Sequence, residues 1–375
     1  MEKIVNLDLD AAFGNNTAAA RGFARDLDRV RLALAEANDS AAMQKVAAEL
    51  RALARRALEM APAEVLTRLI SALNDALTRR VIALVCAQAQ MSQLAPSDWC
   101  WIALGSEGRQ EQTFVSDQDN GIIFADCDDP DARRAQLLPL ALRINLMLAD
   151  CGFALCRGNI MASNPQCCLS LHEWRGRFLA WMIEGDPQAL LNATIFFDFR
   201  PLHGAAGLAH TLCAWLAANA ADNPRFLLQM SENALRREAP LGLLRDFAVE
   251  KNGPFAGTID LKLQAATLFV DAARVFCLAC GSYASNTADR LRLAAQEQLL
   301  DASEAAAWIQ AFYFIQRLRL TTQHASDVRG EDMHNHVDPA RLAVADRRAL
   351  LAALRQTRTL QQHLALAHPG SGREG

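Results

Sequence analysis

The sequence predicts an α+β protein: a small mixed sheet with its own helices, set between an N-terminal helical segment and a C-terminal helical bundle. Three observations carry this expectation. Ala, Leu, Arg and Glu dominate from Thr17 to about Gln90, with apolar residues recurring at three- and four-residue intervals, the period of an amphipathic helix. WCWIAL and GIIFA are apolar runs too short for buried helices, bounded by glycine and polar turns, and read as strands. From about residue 172 the chain is again helix-rich and broken by single prolines and glycines, the texture of antiparallel helices joined by short loops. The division this gives is residues 1–95, 96–205 and 206–370.

In the first segment the arginines of LRALARRALEM fall on solvated helix faces, which reads as a helical hairpin or a partner surface, and Pro96 closes the segment. WCWIAL then forms a strand stopped by Gly105, GSEGRQEQT a turn and short helix, SDQDN a polar turn and GIIFA a second strand. DPDARRAQLLPLALRINLMLADCG opens on Asp-Pro and ends at Gly152, the signature of a helix with proline in its first turn and glycine past its end. FALC and IMA follow as further strand candidates. Helices are expected near residues 172–185, 206–220, 225–237, 258–280, 286–297, 303–325, 339–344 and 346–367. Pro187, Pro224, Pro240, Pro254 and Gly281 interrupt them, and PGSGREG reads as a disordered tail.

Lys and Arg total 38 against 42 Asp and Glu, a net charge of -4. No global positive field is available for nucleic acid or anionic lipid, so neither is expected as a partner. No apolar run approaches the roughly 18 residues of a membrane span. The opening MEKIVNLDLDAAFGNN carries acids where an export signal needs a basic segment, so a cytoplasmic protein is expected. Its 10 cysteines are then expected to be reduced thiols packed in the core. Cys277 and Cys280 form a CxxC but lack a second pair or a His pair to complete a zinc site, and are read as packing.

The stretch that carries chemistry is Gly105-Ser106-Glu107-Gly108-Arg109 followed by Ser116-Asp117-Gln118-Asp119-Asn120. Glycines let backbone approach a ligand closely, the first N–H groups of a following helix can cradle phosphate, and Ser106 adds a hydroxyl donor. Asp117 and Asp119 stand two apart at the mouth of a strand, so both carboxylates project from one face with about 6.5–7 Å between their α-carbons. That spacing suits a shared metal ion, and hard oxygen ligands beside a phosphate cradle point to magnesium held by carboxylates and substrate phosphates. The chemistry implied is nucleotidyl transfer.

The run ALGSEGRQEQTFVSDQDNGIIF resembles the nucleotidyltransferase signature of the DNA polymerase β superfamily. The likeness is to the branch that includes the protein-PII uridylyltransferase and the DUF294 nucleotidyltransferases. GNIMASNP, FFDFRPLHG, APLGLLRDF, GTIDLK, VDAARVFCLACG, SNTADRL and RLRLTTQH resemble the DUF294 substrate-binding region in order, so the likeness runs from about residue 55 to 365. The resemblance implies a polymerase-β-like core in which Gly105 and Ser106 bind the nucleotide phosphates and Asp117 and Asp119 bind magnesium. It implies transfer of UMP or AMP from a nucleoside triphosphate to an acceptor hydroxyl, with a protein side chain, as in PII uridylylation and its signalling, as one candidate. Such enzymes usually carry a third carboxylate on a neighbouring strand. The segment corresponding to that strand is GFALCRGNIMAS, Gly152 to Ser163, which contains no acid. Asp198 in FFDFRP is the nearest alternative, with pairing to Arg200 or helix capping as its structural reading. The missing acid leaves a second function open: a catalytically silent module that binds nucleotide and metal.

Arg109 lies one helical turn after Ser106, where it could reach a phosphate or pair with Asp117 or Asp119. Glu107 and Glu111 would oppose a phosphate, so they are expected to point away from it. Asn159 and Asn164 could contact base or ribose, or simply form turns. Asp260, Lys262, Asp271 and Arg274 are charges embedded in apolar sequence, where partners are required. Mutual salt bridges compete with a Lys262 contact to the triphosphate or acceptor, the latter suggested by the family likeness. His334 and His336 are spaced as HxH but stand in what reads as an ordinary polar loop.

Overall fold

The computed structural model describes residues 17–89, 95, 97–242 and 246–367. The expectations placed on MEKIVNLDLDAAFGNN, Pro96 and PGSGREG lie outside the described residues. The chain divides into two compact units: one comprises the chain up to Arg177 with Ile195–Cys213, the other Phe178–Thr194 with the chain from Ala214 onward. No helix among the described residues is long and apolar enough to cross a membrane.

The first unit combines the N-terminal helices with the sheet. Helices α1 (Thr17–Glu36), α2 (Ser40–Ala57) and α3 (Ala63–Gln88) follow the apolar periodicity of that segment. Asp39 caps α2 by accepting from the Ala42 N–H at 2.8 Å, and Arg80 of α3 donates twice to the Ala37 carbonyl just past α1.

The sheet has the order β3-β2-β1-β4. β1 (Trp99–Ala103) lies at its interior with every residue buried, followed by the one-turn helix α4 (Gly105–Gly108). β2 (Asn120–Phe124) pairs antiparallel with β1, Trp99 opposite Phe124 and Ala103 opposite Asn120. Helix α5 (Pro130–Asp150) starts as expected, with Asp129 capping the Ala132 N–H at 2.9 Å and proline in the first turn. It leads to β3 (Cys168–Ser170), which runs parallel to β2. β4 (Arg200–Gly204) completes the sheet against β1, with a register shift between Trp101 and Ile102. β4 was not expected because FRPLHG contains a proline; as an edge strand, β4 tolerates the missing N–H.

The segment Gly152–Ser163, read as a strand, is instead an irregular loop. It makes one parallel bridge, Ala154 with Asp117, and then turns where Asn159 N–H donates to the Cys156 carbonyl at 2.9 Å with Asn159 at φ 55. Helix α6 (Leu171–Glu184) begins with a reciprocal cap: Glu173 accepts from the Ser170 N–H and Ser170 Oγ from the Glu173 N–H, at 2.7 and 3.1 Å. Trp174 of α6 is fully buried and donates its indole N–H to the Ile122 carbonyl of β2 at 2.9 Å.

The second unit is predominantly helical. Pro187 and Pro224 open helices where interruptions were expected: they occupy the first turns of α7 (Pro187–Phe196) and α9 (Pro224–Leu235), which flank α8 (Ala206–Ala221). Asp186 and Asn223 cap these two starts, accepting from Ala189 and Phe226 N–H groups. The helix expected over 258–280 is divided. Residues Ile259–Asp260 form β5, paired with β6 (His336–Val337), a π-helical turn follows over Lys262–Ala266, and α10 (Thr267–Ala279) then runs buried on most sides. Helices α11 (Thr287–Gln296), α12 (Ala302–Val328) and α13 (Val344–Ala367) complete the bundle, while 339–344 is a turn closed by Arg341 N–H on the Asp338 carbonyl.

Candidate active site

The end of β1 and the start of β2 form one corner. Leu104 N–H donates to the Asp119 carbonyl at 2.8 Å, and the chain then turns at Gly105 into α4 with φ +54. A Cβ on Gly105 would sit 2.9 Å from Asp119 Oδ2, so the glycine leaves room beside that carboxylate as well as permitting the turn. Gly108 is packed more tightly: a Cβ there would lie 2.1 Å from the Asp198 carbonyl oxygen. The Ser106 hydroxyl is half-buried and makes no hydrogen bond among the described residues.

In the segment leading into β2, side chains alternate between two faces. Asp117 and Asp119 take one; Gln118 and Asn120 take the other and are buried. The buried amides form a closed network. Gln118 Nε2 donates to the Asn145 and Phe153 carbonyls at 2.9 and 3.0 Å, and Asn145 Nδ2 donates to Gln118 Oε1 and Asn120 Oδ1 at 2.8 and 3.0 Å. Asn120 Oδ1 also accepts from the Ala162 N–H at 2.8 Å. A slip of one residue would strand these groups, so the network fixes which face carries the aspartates.

The irregular path of the Gly152–Ser163 loop brings Cys156 to the aspartates. Potential ligand atoms of Asp117, Asp119 and Cys156 all lie within 4.8 Å of one another. Burial and the neighbouring Asp119 carboxylate push the Cys156 thiol above its ordinary range, against hydrogen bonds from the Ile160 and Gly158 backbone. The sequence carries no signal for this thiol, because the strand-like composition of the segment does not show that the chain bends there. Two hard carboxylates and one sulfur within a single ion's reach are a donor set that fits a divalent metal.

Asp198 is not the third member of this group. Its carboxylate is fully buried and accepts from Arg109 NH1 at 2.6 Å. Arg109 also pairs with the buried Glu111, at 2.9 Å, so these two ion pairs are with Asp198 and Glu111 rather than with Asp117 or Asp119. The guanidinium thereby holds the turn. Glu107 is also turned inward, 7% exposed, and burial, followed by repulsion from Asp75 and Asp119, pushes its carboxyl up to about 8 against the pull of Arg200. It therefore stands neutral near pH 7. Arg200 pairs with Asp75 of α3 through two hydrogen bonds, at 2.8 and 2.6 Å, and donates to the Glu107 carbonyl at 3.0 Å.

The remaining candidates make local contacts. Asn164 caps the turn before β3 and donates to the Asn159 carbonyl at 2.8 Å. Lys262 belongs to the second unit, with an exposed side chain; its backbone N–H, like that of Leu263, donates to Asp260. Arg274, 1% exposed, pairs with Asp271 at 2.8 Å. His336 stacks on Phe255 with ring centroids 3.7 Å apart, and His334 accepts from the His336 N–H. Cys277 donates to the Ser282 carbonyl; none of the 10 cysteines forms a disulfide, and six of them are buried.

Two family models match the chain: "Putative nucleotidyltransferase DUF294" over residues 44–188 and "Putative nucleotidyltransferase substrate binding domain" over residues 224–367. No curated protein matches it. The first match contains the Gly105 turn, both aspartates and Cys156; the second contains Lys262. With a nucleotidyltransferase-like α+β core followed by the matching substrate-binding region, the chain belongs to the DUF294 nucleotidyltransferase family.

Proposed function

We propose that the protein is a divalent-cation-dependent nucleotidyltransferase that moves UMP or AMP from a nucleoside triphosphate to an acceptor hydroxyl. A protein side chain, as in PII uridylylation, is the acceptor class we favour, and a cytoplasmic signalling role would follow from it. The observation that carries this reading is the corner where Asp119 faces the space left by Gly105, with Asp117 beside it. Asp117 and Asp119 would hold the cation, with magnesium as the ion expected from carboxylate donors. The bound ion would neutralise the triphosphate and favour departure of pyrophosphate.

The chain's own contributions are positional. Gly105 lets the backbone approach the triphosphate, and Ser106 offers it a hydroxyl donor. Arg109 holds the turn through Asp198 and Glu111, which keeps Gly105 opposite Asp119. The buried amide network holds the aspartates on the open face.

The test uses the purified chain with α-labelled UTP or ATP, magnesium and a protein extract as acceptor source, following pyrophosphate release and label transfer. Asp117→Asn with Asp119→Asn should lower both at least about a hundredfold with helical content unchanged. Equal turnover in the double variant would reject the site. A silent binding module is the second reading, favoured by the sulfur standing where a third acid was sought; calorimetric nucleotide binding with no pyrophosphate release would select it.

A further inference from the structure

We propose that Cys156 is the third protein ligand of the ion held by Asp117 and Asp119, making this a mixed carboxylate–thiolate site that prefers cobalt- or zinc-class cations to magnesium. The inference rests on the nucleotidyltransferase reading and sharpens the identity of its metal. Three observations carry it. The Cys156 sulfur lies with both carboxylates in a cluster whose ligand atoms are all within 4.8 Å of one another. The alternative acid, Asp198, is fully buried and committed to Arg109. Gly105 lets Asp119 stand at this corner, since a Cβ there would come within 2.9 Å of Oδ2.

The consequence follows from ligand chemistry. Magnesium requires oxygen donors in near-octahedral array and holds its waters, so a thiolate adds little to its affinity. Cobalt and zinc bind sulfur well and stand higher in the general affinity order for divalent ions. On binding, a sulfur–metal bond replaces the S–H bond and the proton leaves to solvent, so two carboxylates and one thiolate face a dication.

The experiment titrates cobalt(II), then magnesium, into the reduced full-length chain after chelator dialysis. Heat and the near-ultraviolet thiolate-to-cobalt charge-transfer absorption are followed together. The wild type should develop the band in proportion to the ion bound. Cys156→Ser should lose the band and bind cobalt about tenfold or more weakly, with magnesium affinity changed less than about threefold. Asp117→Asn with Asp119→Asn should weaken binding of both ions. Cobalt binding without the band, or a band that persists in Cys156→Ser, would overturn the role of Cys156 while leaving the two-aspartate site standing. No binding of either ion, with UTP or ATP present or absent, would overturn the site itself and this inference with it. Far-ultraviolet circular dichroism of each variant separates loss of a ligand from loss of fold.

Discussion

Arg109 and Asp198, 89 positions apart in the chain, meet at 2.6 Å, with the aspartate wholly removed from solvent. Arg109 is the first residue after α4, and Asp198 lies just before β4, so this ion pair ties the Gly105–Gly108 turn to the edge of the sheet. Removing one partner leaves a buried charge with less compensation. Asp198→Ala is therefore expected to cost about 3–5 kcal/mol, read by urea denaturation. Stability within about 0.5 kcal/mol of wild type, with activity abolished, would instead return Asp198 to a direct chemical role.

Gly105→Ala and Gly108→Ala should separate function from folding. At Gly105 the new methyl meets one movable carboxylate and a backbone at φ +54, so a penalty of about 1–3 kcal/mol should come with loss of cation binding as Asp119 is displaced. At Gly108 the methyl would lie 2.1 Å from one main-chain oxygen and 2.9 Å from another, neither able to rotate away. A loss of about 3 kcal/mol or more is expected there. Comparing thermal melts with calorimetric cobalt binding for both variants checks the contrast.

Glu107 sets a pH dependence whose sign is fixed by its neutrality. Its ordinary carboxyl value is 4.5 and its value in the folded protein is about 8. Between these, the folded state keeps a proton that the unfolded chain has lost, so stability is greatest below about pH 4.5 and falls as pH rises toward 8. Its contribution to the slope is about 1.4 kcal/mol per pH unit. Glu107→Gln should remove that contribution, so the variant gains stability relative to wild type between pH 5 and 8 in denaturant titrations. Parallel pH profiles for the two proteins would contradict the assignment.

The amide network predicts a change that reaches the aspartates without touching them. Asn145→Ala leaves Gln118 Oε1 short of its donor in the interior, while Asn120 Oδ1 keeps the Ala162 N–H, so a cost of about 1–3 kcal/mol is expected. Cobalt affinity should fall with it, because the register of the segment bearing Asp117 and Asp119 loosens. Unchanged affinity in a destabilised but folded variant would show that β1 alone positions them.

What could be read from the sequence was local. WCWIAL and GIIFA gave their strands because apolar runs between turns have few alternatives, and Asp129-Pro130 marked the start of α5 by cap chemistry. The two-residue spacing that puts both aspartates on one side is visible in the sequence, while the amide network that holds them there is not. What could not be read depends on pairing across long separations. β4 hid behind Pro201, whose tolerance depends on lying at an edge. Arg109 was weighed against neighbouring aspartates, while its partner came from beyond α7. The loop at Gly152–Ser163 has strand-like composition but bends at Cys156–Asn159, and only the bend shows that a thiol, not an acid, reaches the carboxylates.

The two hydrogen bonds from Arg200 to Asp75 cross the line at which the helical preface and the sheet domain would naturally be cut apart. A fragment begun at residue 96 would keep every residue of the proposed metal site yet lose Asp75, which orients the Arg200 guanidinium that donates to the Glu107 carbonyl. Helix α3 is thus a buttress of the corner formed by Gly105 and Asp119, and any shortened chain that is to keep the corner's geometry must include it.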